Sequence, residues 1–195
     1  LVLHYSFDTD NSRTIIDQSG MGNTGQINGP TFTTNGRLGG ALVLDGVNDF
    51  ICVPASPSLD VNQHLTMMAF FNAEDYADQR PILEWSRTDR TGVHMWVNVK
   101  GYQWNGKGTG ANLIDVNGDE VNRVISITDP PPSTWHHLAV TYDGDMGFAR
   151  VYLDGQLAQN AVLSVAALQT QYDLYIGTRP LSGAKPKMCD GRYRY

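Results

Sequence analysis

Residues 135–144 read WHHLAVTYDG, and the fold turns on how they are read. Leu138, Val140 and Tyr142 fall two apart, with Trp135, His137, Ala139 and Thr141 between them. A period of two sends these sets to opposite faces of an extended chain. Asp143-Gly144 then closes the run with turn chemistry. The adjacent histidines therefore point opposite ways, His136 with Leu138 and His137 with Trp135. They cannot present both imidazoles to one zinc ion, which takes strand ligands at i and i+2.

The same pattern repeats outward from this stretch. LVLHYSF (1–7), ALVLDG (41–46), DFICVP (49–54), LTMMAFFN (65–72), PILEWSRT (81–88) and GVHMWVNV (92–99) read as strands. VISIT (124–128), FARVYLDG (148–155), QLAQNAVL (156–163) and YDLYIGT (172–178) extend the series. GVN between the runs at 41–46 and 49–54 signals a hairpin. Turn residues separate nearly all of the runs, and no segment keeps a helical apolar period for three turns. PPP at 130–132 marks a connection, because proline cannot donate to a central ladder. So many short strands in 195 residues imply two packed antiparallel sheets in a single domain over 1–195.

Alternation also assigns the faces. Val93, Met95, Val97 and Val99 share one side of their strand, and His94, Trp96 and Asn98 the other. Ala149, Val151 and Leu153 oppose Arg150, Tyr152 and Asp154. The aliphatic faces belong between the sheets. The mixed faces are either solvated surface or a binding surface. A sugar site needs flat aromatics for the apolar faces of pyranose rings, with amides or guanidinium groups for hydroxyls. His94, Trp96, Asn98, Arg150 and Tyr152 supply those groups.

Bulk composition narrows the classes. Apolar residues make up 41% and charged residues 17%, enough for a core and too apolar for a disordered chain. The net charge of −6, without a Lys/Arg cluster, argues against nucleic acid as a partner. No apolar run approaches eighteen residues, so no membrane insertion by a helix is expected. The sequence starts within a strand-like run at Leu1, as a processed or excised domain would. Cys52 and Cys189 either pair in an oxidising compartment or stay as free thiols.

LVLHYSFD, DQSGMGNTGQI, GRLGGALVLDGVNDFICVP, WHHLAVTYDG, RVYLDGQL and LYIGTRP occur in that order. Together they resemble the laminin-G-like, concanavalin-A-like jelly-roll domain of bacterial extracellular proteins. The resemblance spans nearly the whole chain. It implies an all-β, two-sheet antiparallel jelly-roll sandwich, usually non-catalytic and extracellular or on the cell surface. It also implies a structural calcium ion at the rim and a glycan or protein partner. One departure stands out. The closing strand typical of the family, F-x-G-x-I-D-E-V-x-I-Y, is replaced after LYIGTRP by LSGAKPKMCDGRYRY.

Calcium needs six to eight oxygens, which loops can supply. The loop DQSGMGN offers Asp17 and Asn23, the nearest matches to the family's rim site. LDGVND offers Asp45 and Asp49. Each of these residues also has the plain role of capping its own turn. DVNGDE (115–120) imitates a calcium loop but has Glu120 at the sharp-turn glycine and Ser126 where the closing glutamate belongs. Glycoside hydrolysis needs two carboxylates across one sugar bond. Glu84 and Asp89 lie an odd number of residues apart, hence on opposite faces. GKGTG (106–110) lacks the strand-then-helix setting of a phosphate loop. The expected function is a non-catalytic carbohydrate-binding or adhesive module. The alternatives are a sandwich that assembles with copies of itself or other chains, and a polysaccharide-active enzyme.

Overall fold

The computed structural model describes residues 1–8, 13–87, 89–100, 107–118, 122–164 and 167–180. Its strands are β1 (Thr14–Ile15), β2 (Gly25–Asn28), β3 (Thr31–Thr33), β4 (Ala41–Val43), β5 (Phe50–Val53), β6 (His64–Phe71) and β7 (Arg80–Arg87). They continue with β8 (Arg90–Lys100), β9 (Lys107–Asn112), β10 (Arg123–Ile125), β11 (His136–Asp143), β12 (Phe148–Leu153), β13 (Gln156–Val162) and β14 (Asp173–Ile176). One 3-10 turn covers Pro57–Leu59.

Two sheets make a jelly-roll sandwich. The larger has the order β1-β2-β5-β14-β7-β8-β9-β10, and the smaller β13-β12-β11-β6. β3 and β4 pair separately. Every paired strand runs antiparallel to its neighbour. The core lies between the sheets and is aliphatic. Val93 and Met95 of β8, Leu174 of β14 and Ile51 and Val53 of β5 meet Leu138 and Val140 of β11 and Val151 of β12. Each of these side chains is at most 1% exposed. Burying one such side chain stabilises by about 1.5–3 kcal/mol, so this seam decides which face of each strand turns inward.

Two expected features differ. ALVLDG and DFICVP are not the two arms of a hairpin: β4 pairs with β3, while β5 lies between β2 and β14. Asp45 Oδ1 accepts the N–H groups of Val47 and Asn48, and Asp49 Oδ2 accepts that of Asp45. These bonds close a local loop that carries the chain from one sheet to the next. Residues 1–8 form no ladder among the described residues. Their backbone bonds go instead to the 17–18 loop: the N–H of His4 donates to Asp17 Oδ1, and the His4 carbonyl accepts from Gln18. Val2, Leu3, Tyr5 and Phe7 still pack against the core. The altered C-terminal stretch, 181–195, lies outside the described residues, as do Cys189 and the Asp119–Glu120 end of the second loop. Cys52 is buried and is not a free thiol.

Candidate functional site

Register builds the site. Across the larger sheet, Tyr175 of β14 stands opposite Glu84 of β7, Glu84 opposite His94 of β8, His94 opposite Asn112 of β9, and Asn112 opposite Arg123 of β10. This single cross-strand row projects from the face turned away from the core, because Trp85, Met95, Ala111 and Val124 take the inward positions between them. Trp96 stands two residues along β8 on the same face. Gln79, His94, Trp96, Asn112, Arg123 and Arg179 line a solvent-open cleft there of about 100 Å³.

Glu84 anchors this cleft. It is fully buried, and its Oε2 accepts the Trp96 indole N–H at 3.1 Å. Arg179, just past β14, places Nε at 3.0 and 2.8 Å from the two carboxylate oxygens and Nη2 at 2.8 Å. Burial pushes the Glu84 carboxyl above the usual carboxylate range; Arg179 and the indole N–H oppose that shift. The Arg179 guanidinium lies 4.2 Å from the centre of the Trp96 ring, a cation–π contact. His94 packs edge-on to Trp96 at 5.8 Å. Burial, with help from Arg179 and Arg123, lowers His94 from an ordinary 6.5 to about 4, so it is neutral at physiological pH. Its Nδ1 faces the Gly92 carbonyl at 2.9 Å. A carbonyl only accepts, so Nδ1 carries the hydrogen and Nε2 is left as an acceptor.

The five residues expected to bind ligand do not form one surface. His94 and Trp96 line the cleft. Trp96 is 9% exposed rather than an open stacking platform, because Glu84 draws its N–H inward and Arg179 covers its ring. Asn98 is fully buried and structural. Its Nδ2 donates to the carbonyls of Tyr76 and Asp78, and its backbone, at φ +53°, donates to Asp129. Arg150 and Tyr152 belong to β12, on the outward face of the smaller sheet, where Arg150 lies over Phe148. Arg123, Arg179 and Gln79 were missed. Arg179 closes the LYIGTRP stretch, but no local spacing marks it or Arg123. A lone glutamate inside ILEW was the one usable signal, since a buried charge demands a partner.

The expected calcium ligands already hold hydrogen bonds of their own. Asp17 accepts four hydrogen bonds, from the N–H groups of His4, Ser19 and Asn23 and the Ser19 hydroxyl. Asn23 donates to Val2 and Ser58 and accepts from the Ser56 and Ser58 hydroxyls. Both side chains are committed to pinning the N-terminal segment and do not fit a cation. Asp45 and Asp49 cap their loop, and each keeps one carboxylate oxygen outside the bonds given above. Elsewhere His64, Asp143 and Asp145 bring one ligand atom each within 4.8 Å of one another, a set that could hold a metal ion.

The double histidine also separates. His137 packs against Phe70 at 4.9 Å. His136 Nδ1 meets Asp154 at 2.7 Å, and its Nε2 lies 2.8 Å from the Thr134 hydroxyl. That order imitates a catalytic triad. The Pro131 carbonyl, however, lies 3.0 Å from the same Nε2 and accepts from the Thr134 hydroxyl at 3.2 Å, so the hydroxyl is turned to a loop carbonyl rather than held as a nucleophile. The arrangement ties the proline loop to the β12–β13 turn. The KGTG part of that motif (107–110) lies in β9, with Gly106 outside the described residues: a side chain at Gly110 would run into the Val124 carbonyl of β10.

Fold and cleft together define a lectin-like antiparallel sandwich. A family model of the laminin G type, described as the concanavalin A-like lectin/glucanases superfamily, matches residues 45–193, and the chain belongs to that family. Among solved structures it is similar to domain 4 of an extracellular arabinanase from Geobacillus stearothermophilus, determined with arabinotriose. That match has a TM-score of 0.67 at 18% identity, covering 95% of this chain and 85% of the other. It is also similar to the binding domain of botulinum neurotoxin serotype D (TM-score 0.62, 16% identity, 87% of this chain and 42% of that one). A third is the Trypanosoma rangeli sialidase in complex with sialic acid (TM-score 0.58, 17% identity, 92% and 27%). The chain thus spans less than half of the toxin and sialidase chains. A comparison with curated protein sequences finds no match.

Proposed function

We propose that this chain is a non-catalytic carbohydrate-binding module of an extracellular or cell-surface protein, and that the β7–β10 cleft is its glycan site. The cross-strand row Glu84–His94–Asn112–Arg123 carries the reading. It sets an imidazole acceptor, an amide and a guanidinium side by side over one open cleft, and donors and acceptors in that arrangement suit sugar hydroxyls. Glu84 is withdrawn from general acid or base work by its bonds to Arg179 and Trp96, which favours binding over hydrolysis. The related domain solved with arabinotriose supports a glycan partner. Titration calorimetry against a panel of oligosaccharides tests this. Binding that weakens at least tenfold in His94→Ala, with unchanged circular dichroism, is expected. Retention of full affinity in His94→Ala together with Gln79→Ala would sink the cleft as the site.

Calcium enters the proposal as a stiffener of the rim loop through Asp45 and Asp49. Thermal melting with calcium and with EDTA checks it: a melting temperature that EDTA lowers in the wild type and leaves alone in Asp45→Asn is expected. A second reading, assembly with further copies of this chain, is favoured by Met68, Phe70, Leu157 and Val162, exposed on the smaller sheet. A concentration-independent monomer on size exclusion counts against it.

A further inference from the structure

We infer that the cleft takes an acidic sugar, a carboxylate-bearing pyranose whose anionic group meets Arg123 and whose neighbouring hydroxyl donates to Nε2 of His94. The inference rests on the cleft being a glycan site and names the class of glycan.

Charge comes first. Of the two guanidinium groups in the cleft, Arg179 is compensated by Glu84 at 2.8 Å. Arg123 is exposed and takes part in none of the ion pairs of the described residues. Glu84 is the only carboxylate in the row, so among the described residues the cleft keeps one positive charge without an ion-pair partner. It does so on a chain whose net charge is −6. A lone cationic cleft on an acidic protein draws an anionic group and repels none there. The planar guanidinium fork matches a carboxylate with two parallel hydrogen bonds.

Hydrogen-bond direction comes second. The Gly92 carbonyl fixes the hydrogen of His94 on Nδ1, leaving Nε2 as an acceptor. An acceptor beside a guanidinium is the complement of a hydroxyl donor beside a carboxylate. Asn112 lies between them in register. A neutral sugar would satisfy His94 and leave the Arg123 charge to water. Aromatic stacking does not compete as the main term, because the guanidinium of Arg179 already occupies the ring face of Trp96.

The test is calorimetric titration with matched pairs: trigalacturonate against trigalactose, sialyllactose against lactose, and a sulfated galactose oligomer. The acidic member of each carboxylate pair is expected to bind at least tenfold more tightly at low salt, with the gap narrowing as salt rises. Arg123→Gln, a change at an exposed position, should remove that gap by weakening the acidic member of each pair at least tenfold more than the neutral one, with circular dichroism unchanged. Equal affinity for acidic and neutral partners overturns the proposal, as does a preference that survives Arg123→Gln. Sulfated sugar binding as tightly as the carboxylates overturns the carboxylate assignment. Binding of neutral sugars alone sinks this inference and spares the glycan reading; binding of no sugar sinks both.

Discussion

Asp17 shows how much one side chain can organise. Burial works to raise its pKa, yet four donors more than offset this and hold the carboxyl below its ordinary range. A carboxyl with a lowered folded pKa stabilises the fold above its unfolded value, and that contribution is lost as pH falls through the folded pKa. Asp17→Ala is therefore expected to cost about 2–3 kcal/mol in urea unfolding at pH 7. The difference from wild type should shrink as pH drops below 4. His94 carries the opposite chemistry with the same sign. Its folded pKa of about 4 lies under the ordinary 6.5, so the unfolded chain binds more protons between those values. Stability is expected to fall as pH drops from 6.5 to 4, with less of a slope in His94→Gln. Glycan affinity should hold from pH 8 down to about 5. Below that range Nε2 gains a proton and ceases to accept. Calorimetry across pH checks the second expectation, and denaturant melts the first.

At the scale of the element, β8 is the strand that positions the cleft. Its pairing with β9 slips between Trp96 and Val99, and Asn98 sits in the slip at φ +53°. An asparagine tolerates that left-handed conformation, and its amide bonds clamp the Tyr76–Asp78 loop. Asn98→Gly keeps the conformation and loses the clamp, so about 1–2 kcal/mol is expected. Asn98→Val loses the clamp and adds about 1–2 kcal/mol of backbone strain. Equal melting of the two variants would show that the slip carries no conformational demand. Alternation had placed Val93, Met95, Val97 and Val99 on the core side; Val93 and Met95 are in the core, whereas Val99, past the slip, lines the cleft with His94 and Trp96. It had also placed Asn98 with His94 and Trp96 as a ligand group. A strand pattern cannot show a slip, because the slip depends on the partner strand, so this residue was misread.

Across the described residues, β3 and β4 form a separate pair, and two main sheets are held by one aliphatic seam. Leu138 lies in its middle with no exposed surface. Leu138→Ala is expected to cost about 2–5 kcal/mol, and fluorescence and far-ultraviolet circular dichroism should still give coincident transitions. Divergent transitions would mean that the sheets melt separately. Most inward positions and the family could be read from residue order alone, because period-two alternation acts over a few neighbouring residues; the partners of β4 and β5 and the side taken by Val99 could not, because strand pairing sets them. The site could not. Glu84, His94, Asn112 and Arg123 come from four strands, and Arg179 from beyond a fifth. Strand order and register bring them together, and both are set by which apolar faces the sandwich buries. The sequence determined that Trp96 and Arg150 both face away from the core. Only the tertiary structure decided that they lie on different sheets, because each sheet has its own outward face and the core stands between them.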